Sequence, residues 1–169
     1  MDTIINKVAQ SALEVFDLED YYPEGTQTQI DLSIWLLDGF LLIEKEFRNH
    51  LKNHDWTQYQ NQHVALFCST EAIYPAWATL LITMQLTPYT KSITYGKTPA
   101  IAETHYQNTL SKIDFSIYHN KAVILKGCAK KPVPMTAYVL AAQKLQPHAK
   151  SIMYGEACSA VPLFKKAKI

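Results

Sequence analysis

Asp55–Lys97 reads DWTQYQNQHVALFCSTEAIYPAWATLLITMQLTPYTKSITYGK, and Asp114–Glu156 reads DFSIYHNKAVILKGCAKKPVPMTAYVLAAQKLQPHAKSIMYGE. The two stretches are 43 residues each, align without a gap at an offset of 59, and share 15 identical positions. The identities include Asp55/Asp114, Tyr59/Tyr118, Asn61/Asn120, Pro75/Pro134, Pro88/Pro147 and the closing Lys-Ser-Ile-x-Tyr-Gly. Each copy runs through a short β-rich segment (Val64–Phe67; Val123–Lys126), a loop ending in proline, and an apolar-periodic helix (about Pro75–Thr87; about Pro134–Gln146). A second short strand then closes on Tyr-Gly. This is the grammar of a βαβ unit. A proline suits the first helical turn, where its missing N–H has no intrahelical partner, and the second proline stops the helix.

Between the copies, Ala100–Ile113 predicts a connecting helix with Ile101, Tyr106, Leu110 and Ile113 on its buried face. Strands alternating with helices predict an α/β fold: a single three-layer domain over residues 1–169 with a mostly parallel sheet, built around the two βαβ units. Residues 1–54 elaborate that core. There Leu13–Leu18 alternates like a strand with one wet face, Ser33 can cap a short helical turn at Ile34–Leu37, Leu41–Ile43 reads as a buried strand, and Lys45–Asn53 as a helix.

Composition narrows the function classes. The 169 residues are 48% apolar and 18% charged, with 5 Gly and 8 Pro, which excludes a disordered tail or a low-complexity linker. A formal charge of +1 gives no electrostatic footprint for generic nucleic-acid binding. No apolar run approaches the roughly 18–20 residues of a membrane span. The start, Met1-Asp2-Thr3-Ile4-Ile5-Asn6-Lys7, lacks the pattern of a secretory signal, so a cytoplasmic location is expected. Three cysteines in such a chain read as free thiols, metal ligands or catalytic groups.

In open α/β sheets, ligands collect outside the carboxyl ends of the strands. The cysteines fall at such places: Cys68 ends the first strand of copy one, Cys128 lies one aligned position further along in copy two, and Cys158 follows the Tyr154-Gly155 turn. Cys68 equally continues an apolar run as a small hydrophobe. In Lys126-Gly127-Cys128-Ala129-Lys130-Lys131-Pro132-Val133-Pro134, lysines and a helix N-terminus favour the thiolate, making Cys128 a candidate nucleophile. Lys126, Lys130 and Lys131 with backbone N–H groups form a candidate anion site, although the loop lacks a nucleotide P-loop pattern and equally reads as a solvated basic loop. On one rim of a parallel sheet, Cys68, Cys128 and Cys158 would make a three-thiolate metal site with Glu156 or water as fourth ligand, suited to zinc or an iron–sulfur cluster.

His50 and His54 are spaced i, i+4 but without a His-Glu-x-x-His pattern, among residues typical of a solvated surface. Asp17, Glu19 and Asp20 form an acidic cluster that could do acid–base work or simply cap a turn. Gly-x-Ser-x-Gly and Gly-x-Gly-x-x-Gly motifs are absent.

Taken together, Phe16-Asp17-Leu18-Glu19-Asp20-Tyr21-Tyr22-Pro23, Asn53-His54-Asp55-Trp56, the Lys126–Pro134 loop and Ser151-Ile152-Met153-Tyr154-Gly155-Glu156-Ala157-Cys158-Ser159 resemble a bacterial family catalogued as domain of unknown function 2480. The resemblance implies no activity and no catalytic residue. It implies genomic company with iron–sulfur (SUF-type) assembly genes, and hence iron–sulfur assembly proteins as partners. Three readings follow: an accessory factor binding a metal or cluster through Cys68, Cys128 and Cys158; a thiol enzyme or sulfur carrier using Cys128; and a non-catalytic interaction scaffold using aromatic surface such as Tyr21, Tyr22, Trp56 and Tyr89.

Overall fold

The computed structural model describes residues 13–127 and 129–167. In chain order its elements are β1 (Leu13–Asp17), β2 (Gln27–Asp31), α1 (Glu44–Asn53), β3 (His63–Phe67), α2 (Ala76–Leu86), β4 (Ser92–Tyr95), α3 (Pro99–Lys112), β5 (Ala122–Lys126), α4 (Met135–Leu145), β6 (Ser151–Tyr154) and β7 (Val161–Lys165). Single 3-10 turns lie at Leu18–Tyr21, Leu32–Trp35, Trp56–Tyr59 and Phe115–Tyr118.

The α/β class and both βαβ units are as the sequence predicts, with β3 parallel to β4 and β5 parallel to β6. The single shared sheet is corrected: the strands form two sheets, ordered β2-β3-β4 and β1-β5-β6-β7. The reason is that each copy recruits its own leading strand. β2 pairs in parallel with β3 (Ile30 opposite Leu66), and β1 with β5 (Phe16 opposite Leu125). Contacts divide the chain accordingly into two compact units. Pro23–Thr104 is continuous; the other unit is split, taking the described residues up to Tyr22 and from His105 onward.

The repeat also extends upstream of Asp55 and Asp114. At the same offset, α1 superposes in sequence on the later part of α3: Glu44/Glu103, Phe47/Tyr106, Asn49/Asn108 and Leu51/Leu110. Phe47, Leu51, Tyr106 and Leu110 are all buried, one turn apart on the inner face of each helix. Asp17 and Asp31 play matching roles at the strand ends. Each carboxylate accepts the N–H two residues on, from Glu19 and from Ser33, both at 3.0 Å, and so starts the 3-10 turn. Asp55 and Asp114 do the same for Thr57 and Ser116. Bonds from the Thr57 and Ser116 hydroxyls, and then these N–H bonds, hold the Asp55 and Asp114 carboxyls below the ordinary aspartate range.

Several local expectations change. The turn expected at Ile34–Leu37 under a Ser33 cap lies at Leu32–Trp35 under Asp31, with Ser33 donating its N–H rather than capping. Leu41–Ile43 is not a strand: Leu41 forms an isolated bridge with Leu37 around Asp38 and Gly39, both at positive φ, and its side chain is exposed. The strand is β2 instead, whose Gln27, Thr28 and Gln29 hide it from a search for apolar alternation. α1 ends at Asn53, so His54 leaves the helix and its spacing from His50 does not place the two on one helical face. The His54 ring packs against Trp35, Trp56 and Tyr59, with Nε2 3.0 Å from the Tyr59 hydroxyl, and desolvation lowers its pKa.

Candidate functional site

The loops after β3 and β5 are organised by carboxylates from the leading strands. In the continuous unit, Asp31 Oδ1 accepts the Ser69 N–H at 3.0 Å in addition to that of Ser33. Burial pushes this carboxyl up, but hydrogen bonds from Ser69 and Ser33 outweigh it and leave the group below its usual range. In the split unit the corresponding anchor is Glu19, whose Oε1 accepts from Lys130 N at 2.7 Å and Lys131 N at 3.4 Å. The Lys130 bond is the main reason that the Glu19 carboxyl lies below the ordinary glutamate range.

Two of the candidate anion-binding lysines, Lys126 and Lys131, have side-chain partners within the chain. Lys126 Nζ stands 3.3 Å from Asp17 and 3.5 Å from Glu156, and its pKa is raised chiefly by the Asp17 bond. Lys131 Nζ donates to the Glu19 carbonyl at 3.2 Å and lies 5.8 Å from the centre of the Tyr22 ring. The acidic cluster thus contributes two loop anchors, Asp17 and Glu19.

Cys128 lies outside the described residues. Cys68 is half-buried at the end of β3, with Sγ 3.3 Å from the Thr70 hydroxyl. Cys158 is exposed in the turn between β6 and β7, close in sequence to Glu156, whose carbonyl accepts the Ser159 N–H at 2.9 Å. Cys68 follows a strand of one sheet and Cys158 a strand of the other, so the two do not share the rim of a single sheet. Among the described residues, no three His, Cys, Asp or Glu side chains gather into a group able to hold a metal ion.

What the strand ends do form is a pair of matching apolar grooves beside the repeated helices. The groove of the continuous unit encloses about 520 Å³ and is lined by Ile73, Tyr74, Ala76, Thr79, Leu80 and Tyr95, with Ala72 at its edge. Its counterpart in the split unit, about 380 Å³, is lined by Met135, Tyr138, Val139 and Tyr154, the aligned equivalents of Ala76, Thr79, Leu80 and Tyr95, together with Leu125, Ala142 and Leu163.

α2 buries Ala78, Ile82 and Leu86 yet remains apolar outward, leaving Leu80 58% and Met84 62% exposed. Ile73 is 96% and Tyr95 65% exposed at the same site. The Tyr74 and Tyr95 hydroxyls meet at 2.9 Å; burial, then the Tyr95 bond, raises the Tyr74 pKa to about 12, keeping it a neutral donor or acceptor at physiological pH. In the split unit Gly127 stands where Cys68 stands in the other. A Cβ there would lie 2.8 Å from the Tyr138 hydroxyl, so Gly127 and Tyr138 exchange volume for Cys68 and Thr79. Leu80, Met84 and Tyr95 were not singled out from sequence. The available signal was the helix segment Ala76–Met84, which has no strongly polar stripe to face water.

Fold and grooves define a duplicated α/β protein with two parallel βαβ cores. The chain belongs to the family of proteins of unknown function DUF2480, whose family model matches residues 2–166. No curated protein and no solved structure matches the chain. No helix among the described residues is long and apolar enough to cross a membrane.

Proposed function

We infer that the protein is a non-catalytic interaction module that receives an apolar part of a partner protein in the groove of the continuous unit. The carrying observation is the outward apolar face formed by Ile73, Leu80, Met84 and Tyr95 around a groove of about 520 Å³. Clustered apolar surface at a concave site is the usual mark of a binding surface. The two tyrosine hydroxyls provide polar points at the groove's edge that can set the orientation of what binds. A photo-crosslinking amino acid placed at Leu80 should give a discrete protein adduct in living cells, identified by mass spectrometry and lost on Met84→Asp. Adducts no stronger than those formed from the exposed position Gln143 would overturn the reading.

The narrower role, an accessory factor for iron–sulfur assembly binding a metal or cluster through cysteine, rests on the family resemblance and on Cys128. Metal and labile sulfide content of protein purified without oxygen tests it. Stoichiometric zinc or iron that falls in Cys128→Ser supports it; metal-free wild type rejects it. Sulfur transfer through a Cys128 thiolate is tested by the same variant, since retained sulfur loading after Cys128→Ser rejects that role.

A further inference from the structure

The two copies differ in what lies on the outer edge of their last parallel strand. In the split unit, β7 adds antiparallel to β6, with Phe164 opposite Ile152 and Val161 opposite Tyr154, and Lys166 N donates to Lys150 O at 2.9 Å. Phe164 packs against the core, and Ile152 is only 2% exposed. In the continuous unit, the sheet ends at β4 among the described residues. Its equivalent of Ile152, Ile93, is only half-buried. The residues beside Phe164 in the split unit include Ala142, Gln143, Gln146 and Ile152. Their aligned equivalents are Thr83, Met84, Thr87 and Ile93, so an exposed methionine stands where the covered copy has a glutamine.

We propose that β4 is a strand-addition site that takes an extended, acidic-flanked segment of another protein, antiparallel, in the position that β7 holds on β6. This rests on the interaction-module reading and specifies the partner for its groove. An exposed strand edge offers main-chain hydrogen bonds for affinity, and side chains in neighbouring pockets supply selectivity. The segment places an aromatic or large aliphatic residue against Ile93 and Met84, as Phe164 is placed against Ile152.

Charge selects the flanks. Exposed Lys91 and Lys97 bracket β4, and Lys97 occupies the position that is Glu156 in the other copy. The Lys91 ammonium donates to the Glu24 carbonyl at 3.3 Å. Two copies of β4 paired antiparallel would bring Lys91 of each toward Lys97 of the other, a like-charge arrangement that disfavours self-pairing. An incoming strand with an acidic residue at each end meets both lysines instead.

The experiment uses the full chain and a fluorescent blocked hexapeptide, Asp-Val-Pro-Leu-Phe-Glu, patterned on β7. A control peptide has both acids replaced by lysine. Anisotropy should show saturable binding of the acidic peptide, at least tenfold tighter than the control, and the double variant Lys91→Glu, Lys97→Glu should invert that preference. Amide exchange at Ser92–Tyr95 should slow when the acidic peptide is bound. Equal binding of both peptides, no binding of either, or binding that leaves Ser92–Tyr95 exchange unchanged would overturn the proposal. Sedimentation at twice the chain mass, with amide exchange at Ser92–Tyr95 slowed in the dimer and no peptide present, would also overturn it by making a second copy the occupant. Crosslinking from Leu80 that persists after any of these failures would leave the interaction module standing without strand addition.

Discussion

The continuous and split units are built from the same parts, a leading strand, a carboxylate-capped 3-10 turn, a helix and a βαβ core, yet they finish differently. The split unit extends its sheet with β7 and covers Ile152, whereas the continuous unit stops at β4 and leaves Met84 and Tyr95 outward. A duplicated fold thus serves as its own control. Asn61/Asn120 and Asp55/Asp114, kept in both copies, serve the same backbone geometry in each, whereas Met84 and Gln143 differ at matched exposed positions.

The equivalence of the cores is broken most severely by truncating Phe47 or Tyr106, matched residues with no exposed surface. Phe47→Ala and Tyr106→Ala should each cost about 3–5 kcal/mol in urea unfolding. Tyr106→Phe should cost only about 1 kcal/mol, because its hydroxyl donates to Leu18 O at 2.6 Å, a bond Phe47 cannot make. The turn anchors give the next largest effect. Asp31→Ala removes the acceptor of the Ser33 and Ser69 N–H groups and should cost about 1–2 kcal/mol by the same measurement. In the split unit that double role is divided between Asp17 and Glu19, so Asp17→Ala should leave the Lys130 loop attached.

The smallest effect sharpens the comparison through pH. His54 occupies the position of Ile113 in the other copy, and burial lowers its pKa below the ordinary value near 6.5. Below that ordinary value the unfolded chain takes up a proton that the folded chain resists. The stability difference is therefore present above about pH 6.5 and is lost as pH falls from there through the lowered folded value. His54→Ile should flatten the stability profile between about pH 7 and 5. Below that window, the depressed Asp31, Asp55, Asp114 and Glu19 carboxyls still cause loss of stability as they are protonated. An unchanged slope between pH 7 and 5 in the variant would show that His54 is not responsible for it.

Features that depend on local geometry were readable in the chain. Asn61 and Asn120 recur because both sit at positive φ, which asparagine tolerates better than most residues. Asp55 and Asp114 recur as caps, and Pro75 and Pro134 stand at the N-caps of α2 and α4. α3 buries Ile101, Tyr106 and Leu110, as its periodicity predicts. Pairing between distant segments was not readable. β2 buries one residue, Ile30, so its place beside β3 is fixed by the sheet and not by its own pattern. β7 contains Pro162 and mostly exposed side chains, the character of an edge strand that resembles a tail in sequence. The exposed groove was hidden for a related reason: Leu80 and Met84 look like core residues until the helix that bears them is seen to turn them outward.

The nesting of one unit inside the other also sets a timetable for synthesis. β1 leaves the ribosome well ahead of its partner, for Leu13 must pair with Ala122. At roughly 5–20 residues per second, that partner follows only after about 5–20 s. Pro23–Thr104 is complete before then and can close its own sheet. Until Ala122–Lys126 is made, β1 has no β5 to pair with, so the continuous unit can be finished while the split unit is still open.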